Sequence, residues 1–177
     1  MKQIALKYGI IGGLLMSIPM FIIIPLIDSI GFENGTTILF VSMMLSFIAI
    51  YLGINSVRKN VGGGYIGFRS AFITGLVITV VMSVIYTAAF MLEINVFSPA
   101  FADKYDAYIL TQMKSMHATQ ADIDKFTADA AIRHASRNLF VNAAMQIMKP
   151  LLFGGFFTFS SSLILRKKEF IPESKLN

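Results

Sequence analysis

Lys149 is the one charge lying inside an apolar run of this sequence, the stretch Leu139 to Leu165. A charge inside a membrane-length run is expensive and marks an ion path, a ligand site or a paired group. Two carboxylates, Asp28 and Glu93, terminate two other apolar runs. At a common level the three would form an interfacial cluster. It would brace the helix ends or hold a ligand or proton. Counting about 20 residues back from Arg166, the span of a roughly 30 Å hydrocarbon core, sets the outer edge near Gln146. Lys149 then sits about 4–5 Å inside that edge, a depth from which a lysine can snorkel.

Other residue sets suggest chemistry less directly. Gly62, Gly64 and Gly67 spell G-x-G-x-x-G. That pattern cradles a dinucleotide only between a strand and a helix, with an acidic residue about 20 positions on. Here it separates two apolar runs, and the second contains no acid, so it reads as a turn. Arg58, Lys59 and Arg69 flank those glycines, a grouping that either fixes topology or holds an anionic lipid headgroup. His117 and His134, with Asp122, Asp124 and Asp129, match no metal-ligand spacing. Ser160, Ser161 and Ser162 lie inside an apolar run, where hydroxyls bond helix backbone. Cysteine is absent, which removes thiol chemistry and thiolate metal sites. No catalytic residue, cofactor or metal is expected, and the chain is not expected to be an enzyme.

The elements that must position these residues are membrane helices. Of 177 residues, 55% are hydrophobic and only 14% charged, against about a quarter charged in soluble domains. The spans run about 8–27, 36–57, 70–92 and 146–165, long enough to cross a bilayer. Pro19 and Pro25 are expected to kink or fray the outer half of the first. Residues 139–145 should rise out of the membrane as a continuation of the fourth. Gly9 and Gly13 form G-x-x-x-G in the first span, and Gly154 and Gly155 lie in the fourth. Small residues there let helix backbones approach closely.

Between the third and fourth spans, residues 95–138 carry five basic and five acidic residues. They read as two helices. Ser98 would cap the first, with Pro99 at its opening position. Phe101, Tyr105, Tyr108, Ile109, Met113 and Met116 recur at helical spacing on one face. Thr119 and Asp122 would open the second as a capping box. Such a hairpin is too small for its own core and should rest on the membrane or on the helix ends. The tail from Phe170 to Asn177 is expected to fray.

Orientation follows the positive-inside rule. The link 28–35 has Asp28 and Glu33 and no base, while 58–69 has Arg58, Lys59 and Arg69 and no acid. Arg166, Lys167 and Lys168 follow the fourth span. Both termini are therefore expected in the cytoplasm, with the hairpin outside. The net charge of +5 comes largely from such flanks rather than from a basic stripe interleaved with aromatics, so nucleic acid is not an expected partner.

The chain resembles a bacterial four-span membrane family catalogued as domain of unknown function 4199. The resemblance rests on Tyr8-Gly9-Ile10-Ile11-Gly12-Gly13 and on the stretch Gly63 to Phe72. It also rests on the aromatic-acidic segment Phe97 to Tyr108, on Lys149-Pro150-Leu151 and on Arg166-Lys167-Lys168. It implies an inner-membrane protein with no assigned activity. It also implies neighbourhood with polyprenyl-phosphate glycosyltransferases, a partner class. The expected fold is an all-α membrane bundle surrounded by lipid. The expected role is a non-enzymatic scaffold or accessory subunit. The alternative is a small transporter or channel with a site at the outer interface near Lys149.

Orientation is checked by single cysteines in this cysteine-free chain. Asn34→Cys and Thr119→Cys should react with an impermeant maleimide in intact cells, and Asn60→Cys only after permeabilisation.

Overall fold

The computed structural model describes residues 1–135 and 139–167. The expected tail 170–177 and the end of the hairpin at 136–138 lie outside the described residues. The chain is all-α. Its helices are α1 (Lys2–Ile23), α2 (Ile27–Ile30), α3 (Phe32–Ser46), α4 (Ile48–Asn60), α5 (Phe68–Leu92), α6 (Phe101–Ser115), α7 (Gln120–Ala135) and α8 (Leu139–Leu165). A π-helical turn, Glu93–Phe97, prolongs α5. Among the described residues, four segments are long and apolar enough to cross a membrane: Lys2–Ile23, Phe32–Asn60, Phe68–Phe97 and Val141–Leu165. This is a multi-pass membrane protein.

Local chemistry accounts for the departures from the expected spans. The first helix starts six residues earlier than 8–27 and stops at Ile23, because Pro25 has no N–H to continue it. Pro19 and Pro150 stay inside their helices, as lipid-facing helices tolerate when neighbours satisfy the backbone. The second span, read as one continuous run, is split at Phe47. Ser46 Oγ donates back to Ser42 O at 2.7 Å, and Phe47 N bonds Met44 O at 3.2 Å, one residue closer than a regular α-helical bond. Back-bonding of this kind bends helices. The third span continues past 92 through the π-turn.

The bundle is assembled around α5, which packs against α1, α4 and α8. In lipid there is no hydrophobic drive between helices, so contact depends on close backbone approach. Glycines supply it. A Cβ added at Gly9 would lie 2.7 Å from Val81 Cβ, and one at Gly13 would lie 2.8 Å from Ile85 Cβ. Gly154 receives Thr79, whose Cγ2 would be 2.5 Å from an added Cβ. Gly12 and Gly75, not singled out from sequence, play the same part against Met82 and Thr158. Gly155 does not: nothing stands within 4 Å of its would-be Cβ, because it sits one residue, about 100°, round the helix from Gly154. Hydroxyls complete the α5–α8 seam. Thr79 Oγ1 and Thr158 Oγ1 are 2.9 Å apart and both residues are buried.

One end of the bundle brings together Arg58, Lys59, Arg69, Arg166 and Lys167. There Ile66 and Lys167 exchange backbone hydrogen bonds of 3.1 and 3.0 Å, and the Lys167 ammonium stands 5.6 Å from the Tyr65 ring centre. The glycine motif makes this turn. Gly63 and Gly64 have φ of 56° and 95°, and a Cβ on Gly62 would run into Tyr65 O. The opposite end carries the α6–α7 hairpin.

Gly13→Val should wedge α1 from α5 at a cost of about 1–3 kcal/mol. Its apparent melting temperature in detergent should fall by several degrees, whereas Gly155→Ala should leave it unchanged or raise it.

Candidate functional site

The unusual chemistry lies at the hairpin end, where α5 becomes a π-turn. Such turns interrupt regular helices and often occur at functional sites. Glu93 opens this one and is 0% exposed. Ser98 binds it twice: Ser98 N donates to Glu93 O at 2.7 Å, and Ser98 Oγ donates to Glu93 Oε1 at 2.8 Å. The second carboxyl oxygen, Oε2, is buried and has no hydrogen-bond partner among the described residues. A buried carboxyl group with half its acceptor capacity unmet is electrostatically incomplete.

Ser98 is also one wall of a cleft of about 280 Å³. The other walls include Ile24, Ile27, Phe97, Phe101 and Lys104. Local contacts hold it in shape. Phe21 of α1 meets Phe97 edge to face, with ring centres 5.9 Å apart. Lys104 of α6 forms an ion pair with Asp28 of α2, both half-exposed. Such exposed pairs contribute about 0–1 kcal/mol, so the larger anchor is aromatic. Phe32, at the start of α3, lies 5.0 Å from the Tyr108 ring in a stacked pair and also meets Phe101 and Tyr105. Each such pair adds about 0.5–1.5 kcal/mol beyond its buried area. The hairpin thus rests on the helix ends, one of the two supports expected for it.

The residues singled out from sequence fall into separate places. No ion pair joins Asp28, Glu93 and Lys149 among the described residues. Asp28 pairs with Lys104, Glu93 accepts from Ser98, and Lys149 is exposed on α8 with no ion pair among the described residues. Pro150, next to it, is the side chain that turns inward. Arg58 is half-buried, and its Nη1 reaches the Leu165 carbonyl at 3.5 Å, helping to cap the C-terminus of α8, where a cation is favoured. Lys59 and Arg69 are exposed at the same end and remain open to an anionic headgroup.

Ser98 was expected to cap α6. Its hydroxyl goes to Glu93 instead, and Ala100 holds the cap position. The second expected cap is present, with Asp122 N donating to Thr119 Oγ1 at 3.3 Å. Sequence reading missed Ser98, Lys104 and Phe32 as site residues. The aromatic spacing on α6 announced a partner surface, but nothing local pointed to Phe32.

Four spans, a bundle zipped by glycines and a clefted, hairpin-capped end define a multi-pass membrane protein of all-α class. A family model described as Protein of unknown function (DUF4199) matches residues 7–167, and the chain belongs to that family. No curated protein and no solved structure matches the chain.

The hairpin anchor is testable against the exposed lysine. Phe32→Ala should loosen α6 and speed limited proteolysis between residues 101 and 135 by several-fold. Lys149→Met should leave both the cleavage rate and the apparent melting temperature near wild type.

Proposed function

We propose that the protein is a non-enzymatic accessory subunit of a membrane complex, presenting the α6–α7 hairpin to a membrane-protein partner. The observation that carries this reading is the exposure of apolar side chains on a hairpin that is itself anchored. α6 buries none of its residues. Met116 at its end is 75% exposed and Ile132 on α7 is 65% exposed. Apolar side chains displayed on an element held by an aromatic stack mark an interaction surface. The membrane is the bacterial inner membrane, with the basic end and both termini cytoplasmic. Supporting this, Arg58, Lys59, Arg69, Arg166 and Lys167 collect at one end and Asp28 and Glu33 at the other. A polyprenyl-phosphate glycosyltransferase is the partner class to test first.

A second reading, a small transporter, draws on Glu93, the buried carboxyl group beside a cleft. The two readings separate by experiment. In the accessory reading, purification from native membranes yields a stoichiometric partner, and Met116→Asp with Ile132→Asp releases it without lowering the melting temperature. Retention of the partner by that double variant would remove the hairpin from the interface.

A further inference from the structure

We propose that the end of the bundle opposite the hairpin is a docking surface for anionic phospholipid, with phosphate groups over its cations and acyl chains along the helices below. Five cations stand exposed there: Lys2, Lys59, Arg69, Arg166 and Lys167. The fold brings them together. The bridge between Ile66 and Lys167 draws the end of α8 against the glycine link. Met1, Val61, Tyr65 and Ser70 line one small cleft, which brings the start of α1 to the same place. None of the five cations takes part in an ion pair among the described residues. The described acids all lie elsewhere, in α2, the first turn of α3, the π-turn and the hairpin. The charge of this end is thus left without a counter-charge from the described chain.

Depth selects the partner. Lys2 opens the first span, Lys59 is next to last in the second, Arg69 is second in the third, and Arg166 directly follows the fourth. Each lies within about 3 Å of a span's end along the helix axis, from which long basic side chains reach the headgroup layer. Exposed apolar side chains lie beneath them. Leu6 is four residues after Lys2, Ile73 four after Arg69, and Leu163 three before Arg166. Residues at those spacings share a helix face. A cation above an apolar strip matches an anionic head above its chains. A soluble acidic partner would match the cations alone and would have to displace lipid to reach them. A zwitterionic lipid carries its own cation beside its phosphate, whereas clustered bases at a membrane surface attract net negative heads.

The chain contains no tryptophan, so a single introduced one reports its lipid neighbours. Ile73→Trp, exposed on the face of Arg69, reports the basic end, and Val96→Trp, exposed at the hairpin end, is the control. The full chain is reconstituted into phosphatidylcholine vesicles in which a fixed fraction of lipid is chain-brominated, either phosphatidylglycerol or phosphatidylcholine. Brominated phosphatidylglycerol should quench Ile73→Trp more strongly, with a several-fold higher association constant, and should show no such preference at Val96→Trp. Adding Lys59→Gln and Arg69→Gln to the Ile73→Trp chain should bring the ratio of the two constants towards one. Sodium chloride at about 1 M, where screening acts within about 3 Å, should do the same without those substitutions. Equal quenching by the two lipids at Ile73→Trp would leave the cations to an acidic protein and overturn the proposal. So would a preference of equal size at both ends, or one that survives loss of Lys59 and Arg69. Loss of the preference on adding low-millimolar glycerol phosphate at constant ionic strength would assign a free phosphate and overturn the lipid.

Discussion

Contact between helix backbones is the constraint on which the rest depends. A bundle in lipid gains nothing from merely burying apolar surface, since lipid tails are as apolar as the helices. It must gain from dispersion at close range and from hydrogen bonds between helices. Both require small residues where helices meet. Gly9, Gly12 and Gly13 bring α1 onto α5, and Gly75 and Gly154 bring α5 onto α8. The hydroxyls of Thr79 and Thr158 meet only because those glycines allow it. Bulk at these positions would separate the spans along their length, and with them the cleft walls drawn from α1, α2 and the π-turn.

The two ends of the bundle are finished in different ways. At the basic end, backbone pairing between Ile66 and Lys167 and the reach of Arg58 to Leu165 tie the middle link to the last span. A buried polar atom is left over there too, since Arg58 Nε has no hydrogen-bond partner among the described residues. At the hairpin end, side chains do the tying, and one of them, Glu93, is left half-satisfied. Incomplete satisfaction of a buried polar group is rare enough in native structures to call for a reason. Arg58 Nε, Thr87 Oγ1 and Glu93 Oε2 share that condition among the described residues, and Glu93 is the fully buried acid of the three residues.

The fold was largely legible in the sequence, and the site only in part. Long uncharged runs fix the number of spans, because bilayer thickness sets a length that any sequence must meet. Thr119 and Asp122 announce a helix start because capping is a local event four residues long. The split at Phe47 was not legible, since Ser42 and Ser46 look like ordinary small residues until one bonds the other's carbonyl. Lys149 drew attention through its charge, yet helix phase turns Pro150 inward and leaves the lysine outside. Gly155 was misjudged for the same reason, since a step of about 100° separates a packed glycine from an open one. Glu93 was named for its place in the chain. Its burial and its bond to Ser98 come from a π-turn that no periodicity foretells.

The bridge between Ile66 and Lys167 joins parts of the chain that lie far apart in sequence. Arg58 and Leu165 are separated by 107 positions, so loop-closure entropy weighs against their meeting until the intervening elements are placed. The first three spans can associate through α1, α4 and α5 without the fourth. In the link 61–67 the N–H groups of Val61, Gly62, Gly64 and Tyr65 bond locally, whereas the N–H and C=O of Ile66 are paired by Lys167. Before the last span arrives, Ile66 therefore lacks the backbone partner that Lys167 supplies. Arrival of the last span satisfies both groups of Ile66 at once and latches the middle link to the end of α8.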